Sequence, residues 1–253
     1  MTRLQPRLPA GYRLAAYDIL GSTNDEAKRL AREGTAADTV VWALQQTAGR
    51  GRRGRRWLSP AGNLYASLVL RPDCLPARAA QLSFVAALAV GDAVQGVLPA
   101  TTKIAYKWPN DVMIDSRKIA GILLESEIGA GRIPAFVVIG IGINLATAPC
   151  GTEIPASCVA AVADAVPAPS RMLEALVSRF DTWRTHWLEA GFAPIRSAWL
   201  AAAAARGTAI RVRLDSGELQ GRFRDIDGEG ALLLDTENGS RRIAAGEVFP
   251  APR

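Results

Sequence analysis

The 253-residue sequence predicts an α+β fold: a mixed β-sheet with flanking helices, followed by a small C-terminal β-barrel. Three observations carry this expectation. Several strand-like segments follow one another with no helix between them, which argues against a doubly wound parallel sheet. Four segments show helical spacing with recognisable ends. After Gly207 the chain becomes short strand patterns joined by turn residues, the texture of a small barrel. The length suits one large domain with a small appendage, and a boundary near 206 divides the chain into 1–205 and 206–253.

The elements follow in order. Residues 12–20 read as a short strand. In "GSTNDEAKRLAREG", Thr23 and Glu26 are placed as a capping box, Ala27, Leu30 and Ala31 form an apolar stripe, and Gly34 ends the helix, predicted over 23–33. "TVVWALQQ" (39–46) is a nearly continuous apolar run, hence a buried strand. "NLYASLVLR" (63–71) alternates with period two and reads as another strand. Pro76 opens a helix expected to run unbroken to about 97. From 103 to 145 the pattern is strands, "KIAYKW", "DVMID", "KIAGILLESEI" and "PAFVVIGIGINL", separated by "PND", "DSR" and "GAG" turns. Residues 146–169 have no clear period. Residues 170–191 are helical, capped by Ser170 and ended by Gly191, and a second helix covers about 194–205. "AIRVRL", "LQGRFRDI", "ALLLDT" and "SRRIAA" supply the barrel strands.

Thirty basic against twenty-four acidic residues leave a net charge of +6. The five arginines of "TAGRGRRGRRW" (47–57) account for most of that excess, so the basicity is local rather than spread over a face. Cys74, Cys150 and Cys158 are few, odd in number and without metal-type spacing, which predicts a reduced, cytoplasmic protein. The N-terminus "MTRLQPRLPAGYRL" has no apolar signal core. The run "IPAFVVIGIGINL" falls short of the roughly 20 residues that span a bilayer, so no membrane role is expected.

The arginine stretch admits several readings. Gly49, Gly51 and Gly54 match G-x-G-x-x-G, but "RRWLSPAGN" and a strand follow where a dinucleotide fold needs a helix. "RGRRGRR" is similar to arginine-rich nucleic-acid-binding segments, yet it is internal and clamped between two strands. It could be a solvated loop, but with no Asp or Glu inside it the arginines repel one another. The favoured reading is a phosphate-and-carboxylate clamp. Glycines admit close approach of an anion, arginine donors fit carboxylate and phosphate, and a loop that orders on an anion can close as a lid.

A second constellation is "KWPND" (107–111) with "RKIAG" (117–121). Lys107 and Lys118 flank an expected hairpin turning near "DSR", which puts two ammonium groups at neighbouring positions. Asn110 and Asp111 offer oxygen ligands for a divalent cation, or hydrogen-bonding groups for a nucleotide. Both features are also ordinary in surface hairpins and turns. The glycines of "GIGIN" (140–144) mark either backbone approach to a ligand or close packing. His186, the one histidine, sits on a helix beside Trp183 and Trp187 in a packing or surface role.

Taken together, "GSTN", "QQTAGRGRRGRRW", "KWPND", "RKIAG" and "GIGINL" occur in the order that resembles the biotin protein ligases, and the resemblance covers about 20–250. It implies a class-II synthetase-like domain with an SH3-like barrel after it. It also implies a two-step ATP-dependent reaction: biotin is adenylated to biotinyl-5′-AMP, then passed to a lysine of a carrier, the biotin carboxyl carrier protein of acetyl-CoA carboxylase. Carried over by motif, Ser22, Thr23, Asn24, Gln46, Gly49, Arg50, Gly51, Arg52 and Lys118 serve biotin. Arg52, Arg55, Lys107, Asn110, Asp111 and Lys118 serve ATP, with Lys118 and Arg52 catalytic. Trp57 packs over the ligand or lies in the core. Mg²⁺ is expected mainly through the nucleotide phosphates, with no protein ligand set assigned. A homodimer is compatible with the resemblance. Two-function members carry an N-terminal helix-turn-helix domain; "GSTN" begins here at residue 21, so no DNA binding is expected. The alternatives are a lipoate protein ligase, which shares fold and adenylation, and a non-enzymatic nucleic-acid-binding protein built on the arginine loop.

Overall fold

The computed structural model describes residues 6–129 and 132–251. Residues 1–5 of the N-terminal segment, and 130 and 131 of the expected "GAG" turn, lie outside them. The elements run β1 (Arg13–Leu20), α1 (Thr23–Arg32), β2 (Thr39–Gln46), β3 (Leu64–Leu70), α2 (Pro76–Ala80) and α3 (Leu82–Gln95). Then come β4 (Ile104–Lys107), β5 (Asp111–Ile114), β6 (Arg117–Ile128) and β7 (Pro134–Ile143). Helices α4 (Pro169–Ala190) and α5 (Phe192–Ala201) precede β8 (Ala209–Leu214), β9 (Gly217–Ile226), β10 (Leu232–Thr236), β11 (Gly239–Ile243) and β12 (Glu247–Pro250).

A seven-stranded mixed sheet has the order β1-β2-β3-β7-β6-β5-β4, with only β1 and β2 parallel. Helix α1 covers one face, where Ala27 and Ala31 pack on Val41, Val69, Phe136 and Val138. Helices α3 and α4 cover the other, against Leu64, Ala66, Leu68, Ile139 and Ile141. This double cover explains why every residue of β3 is buried although its sequence alternates.

A five-stranded antiparallel sheet, β11-β10-β9-β8-β12, closes the chain and is consistent with an SH3-like domain. It shares the main core. Phe84 of α3 meets Phe192 and Trp199 of α5 edge-on at 5.3 and 5.4 Å. A Cβ at Gly230 would lie 2.6 Å from the Phe84 ring, so that turn needs glycine both for space and for its φ of +89°. Trp108 Nε1 donates to Gly230 O at 3.0 Å, and Arg196 donates to Asp225 at 2.6 Å.

Several expectations change. The helix expected over 76–97 breaks at Gln81, whose side chain donates to Gly228 O and accepts from Trp187 Nε1. Pro76–Gln95 is long and apolar enough by composition to cross a membrane, but most of its apolar window is buried in the core. Ser22, not Thr23, caps α1, and Pro169 at the first turn of α4 replaces the expected Ser170 cap. Strand β12, formed by "EVFP", adds a strand to those expected for the barrel. Lys107 and Lys118 do not flank one hairpin. They lie on β4 and β6, on either side of β5, joined by two turns; the second has positive φ at Asp115 and Ser116.

The shared core makes one prediction. Phe84→Ala should lower stability by about 3–5 kcal/mol, the range for truncating a buried aromatic, read as a shift of the urea midpoint in both near- and far-UV signals.

Candidate active site

A cavity of about 330 Å³ opens over β6 and β7, on the face that carries α1. Its floor is made by glycines. Gly121 pairs with Gly142, and Gly140 lies opposite Leu123. A Cβ on Gly142 would stand 2.5 Å from the Trp57 indole, and one on Gly140 would stand 2.1 Å from Asn24 Oδ1. The strand glycines thus admit two side chains onto the sheet, and Gly140 and Gly142 also line the cavity, so both readings of "GIGIN" stay open. Trp57 lies half-buried at the wall, its Nε1 enclosed without a hydrogen-bond partner among the described residues.

One end of the cavity is polar and neutral. Ser22, Thr23, Asn24 and Gln46 line it. Gln46 Oε1 accepts from Thr23 N at 2.8 Å, and its Nε2 donates to Ser59 Oγ at 2.9 Å. Ser67, fully buried on β3, is 2.6 Å from Asn24 Oδ1 and 2.8 Å from Thr23 Oγ1. Thr23 and Asn24 are thus held rigidly, with much of their bonding capacity used inside the protein.

The other end is cationic. Asp111 is buried between two lysines, 2.5 Å from Lys118 Nζ and 3.6 Å from Lys107 Nζ. The shorter contact is an ion pair without hydrogen-bond alignment. Arg52 adds a third cation, donating to Asn110 Oδ1 at 3.3 Å and Gly246 O at 3.2 Å. Burial holds the Arg52 and Lys107 pKa values below their usual range, with Asp111 opposing the shift in both. Three cations around one carboxylate leave an excess of positive charge in a confined space, a setting that attracts an anion. Asp111 is unsuited to the cation-ligand role allowed above, because a divalent ion there would stand against two ammonium groups. Among the described residues no three His, Cys, Asp or Glu side chains converge as a metal site.

The arginine loop is compact, contrary to the self-repulsion expected of it, and carboxylates outside it pair with three of its five arginines. Arg50 pairs with Asp25 at 2.6 Å and Glu125 at 3.1 Å. Arg53 pairs with Asp215 at 2.8 Å, and Arg55 pairs with Glu247 of β12. Arg52 alone among these four has no carboxylate within ion-pair distance among the described residues. Gly51 and Arg55 line the cavity; Gly49 does not. A Cβ on Gly49 would collide with Trp57 O and Ser59 Oγ, so this glycine folds the loop onto itself. His186 is exposed on α4, edge-on to Trp183, and is absent from the cavity. Sequence reasoning missed Ser67, Glu125 and Glu247. An inward-facing Glu in β6 was a usable signal for Glu125; Glu247 was hidden with its unread strand.

Residues 17–144 match the Biotin/lipoate A/B protein ligase family, and residues 207–249 match the Biotin protein ligase C terminal domain. The chain is 46% identical to the biotin--[acetyl-CoA-carboxylase] ligase of Paracoccus denitrificans, over 90% of this chain and 96% of that one. It is 35% identical to the bifunctional ligase/repressor BirA of Bacillus subtilis, over 94% of this chain and 74% of that one. Among solved structures it is similar to the biotin protein ligase of Aquifex aeolicus in complex with biotin and ATP. That likeness has a TM-score of 0.79 at 26% identity and covers 94% of this chain and 97% of that one. The biotin protein ligase of Leishmania major in complex with biotinyl-5-AMP has a TM-score of 0.63 at 26% identity, covering 94% and 99%. The chain belongs to the biotin/lipoate A/B protein ligase family, among its biotin protein ligases.

Two predictions come from the ion pairs. Burial raises the Asp25 and Glu125 pKa values, but hydrogen bonds from Lys28 (and from Asn24 to Glu125) and the charge of Arg50 outweigh it and hold both below the ordinary carboxylate range. Such groups add stability above the ordinary carboxylate pKa of about 4 and lose it as pH falls through the depressed folded value. The Tm gap between wild type and Glu125→Gln should therefore be widest near neutral pH and close in acid. Glu247→Gln, or high salt, should release Arg55 and speed trypsin cleavage within 50–56 several-fold, followed by gel and mass spectrometry.

Proposed function

We infer that this cavity carries both half-reactions of an ATP-dependent biotin protein ligase. In the first, a biotin carboxylate oxygen attacks the α-phosphorus of ATP. The bond from that phosphorus to the bridging oxygen breaks, and pyrophosphate leaves with the electron pair. In the second, the neutral amine of a carrier lysine attacks the acyl carbon of biotinyl-5′-AMP. The C–O bond to AMP breaks, and the amine gives up a proton to solvent. Adenylation is required because a free carboxylate is a poor acyl electrophile.

The observation that carries this reading is the uncompensated cation set, Arg52, Lys107 and Lys118 around Asp111, at one end of a cavity whose other end is neutral and polar. A carboxylate and an α-phosphate must meet at the charged end, where fixed cations stabilise charge developing in the transition state. Lys118, facing both Asp111 and the cavity, is assigned to the reacting carboxylate and α-phosphate. Arg52 is assigned to the same oxygens from the loop side. Lys107 and Asn110 serve the nucleotide, and Asp111 holds the lysines. Ser22, Thr23, Asn24 and Gln46 receive the ureido end of biotin. Arg50, Gly51 and Trp57 cover it, and Arg55 borders the phosphates. Mg²⁺ is taken to enter mainly through the nucleotide phosphates, with no protein ligand assigned. The carrier is proposed to be that of acetyl-CoA carboxylase, as the name of the Paracoccus relative suggests, with a cytoplasmic location following from this substrate pair.

A lipoate ligase would use the same adenylation; the C-terminal match to biotin protein ligases favours biotin. A nucleic-acid role fits poorly with arginines already paired to carboxylates.

Biotin-dependent ATP–pyrophosphate exchange tests the reading. Wild type should exchange with biotin and not lipoate, and Lys118→Ala should lose about 10²–10³-fold in kcat/KM, the range for removing one preorganised charge-stabilising group. Exchange with lipoate alone would replace the substrate, and folded protein inert with both acids would overturn the ligase assignment.

A further inference from the structure

Glu125 stands outside the cavity wall yet touches residues that form it. Along β6, Gly121, Leu123 and Glu125 alternate onto the face toward α1, and the first two line the cavity. A carboxylate turned inward on a central strand is costly to bury unless paired. Here Asn24 Nδ2 donates to Oε2 at 2.7 Å, Lys28 Nζ lies 2.9 Å from Oε1, and Arg50 Nη2 lies within 3.3 Å of both oxygens.

Two consequences follow. Asn24 Nδ2 faces two pure acceptors, Glu125 Oε2 and Leu123 O, which fixes the amide with its oxygen toward Ser67. Arg50, the first loop residue on the cavity wall, is shared by Asp25 and Glu125. The Asp25 side chain is 54% exposed and that of Glu125 only 24%, so Glu125 is the less screened anchor.

On the ligase reading above, we propose that Glu125 is a positioning residue for biotin binding, setting the entry of the arginine loop through Arg50 and the neutral end of the cavity through Asn24. It touches no reacting atom. Its removal leaves the cation set of Arg52, Lys107 and Lys118 in place, so it acts on substrate binding more than on turnover.

The test is biotin-dependent ATP–pyrophosphate exchange on full-length Glu125→Gln, Glu125→Ala, Arg50→Met and the double variant Arg50→Met/Glu125→Gln, each checked for folding by circular dichroism. Glu125→Gln should raise the KM for biotin about tenfold, the scale of one charge-assisted bond, with kcat within about twofold. Glu125→Ala should raise it further, because Asn24 also loses its acceptor. In the double variant, Glu125→Gln should add little to Arg50→Met, since the two act through one contact. A KM unchanged or lowered by Glu125→Gln, or fully additive effects in the double variant, would overturn the proposal while leaving the ligase reading intact. If Glu125→Ala fails to fold, Glu125→Gln and the double variant decide the matter. Wild type that does not exchange with biotin would overturn both.

Discussion

Two lysines share one carboxylate at the end of the central sheet, with Arg52 beside them and no carboxylate of its own among the described residues, and much of the site is arranged to permit that. Lys107, Lys118 and Arg52 repel one another, and Asp111 offsets only part of their charge. The arrangement persists because three separate pieces of chain hold it. The β4–β5–β6 meander fixes the two lysines and Asp111, the arginine loop brings Arg52, and the C-terminal sheet supplies Gly246 O and the Phe249 ring near Lys107. The positive charge left over suits an incoming anion. That is the electrostatic preorganisation a carboxylate-activating enzyme needs.

The loop that brings Arg52 is governed by carboxylates outside it. Asp25 and Glu125 hold its first arginine, while Asp215 of the β8–β9 turn and Glu247 of β12 hold Arg53 and Arg55. The second sheet therefore does more than fill space beside α3 and α5. It closes one wall of the site and pairs with the arginine loop. Because these pairs are partly exposed, each contributes modestly and is screened by salt. A loop held only by such screened pairs is held weakly.

Much of this was legible in the residues. The β2 and β3 runs, the α1 stripe and the strand succession from 103 to 145 gave the α+β class, because local patterning and burial agree there. The motif residues Ser22, Thr23, Asn24, Gln46, Arg52, Lys107, Asn110, Asp111 and Lys118 do surround one cavity. What could not be read depends on distant partners. Nothing near Arg55 in sequence announces Glu247, and nothing in "KWPND" says that Asp111 will face a lysine on each side rather than a cation. Gly49 resembles its neighbours as a ligand-approach glycine, and only packing against Trp57 and Ser59 gives it a different task. The break at Gln81 likewise follows from bonds to α4 and the β9–β10 turn.

The most direct measurement is a crystal structure of the protein with biotin and a non-hydrolysable ATP analogue. The account predicts the biotin carboxylate and the α-phosphate within hydrogen-bond distance of Lys118 and Arg52, with Lys107 toward the nucleotide and Asp111 touching lysines rather than ligand. Phosphates held by Arg53, Arg55 and Arg56 at the rim, with Lys118 still committed to Asp111 and no anion near it, would contradict it.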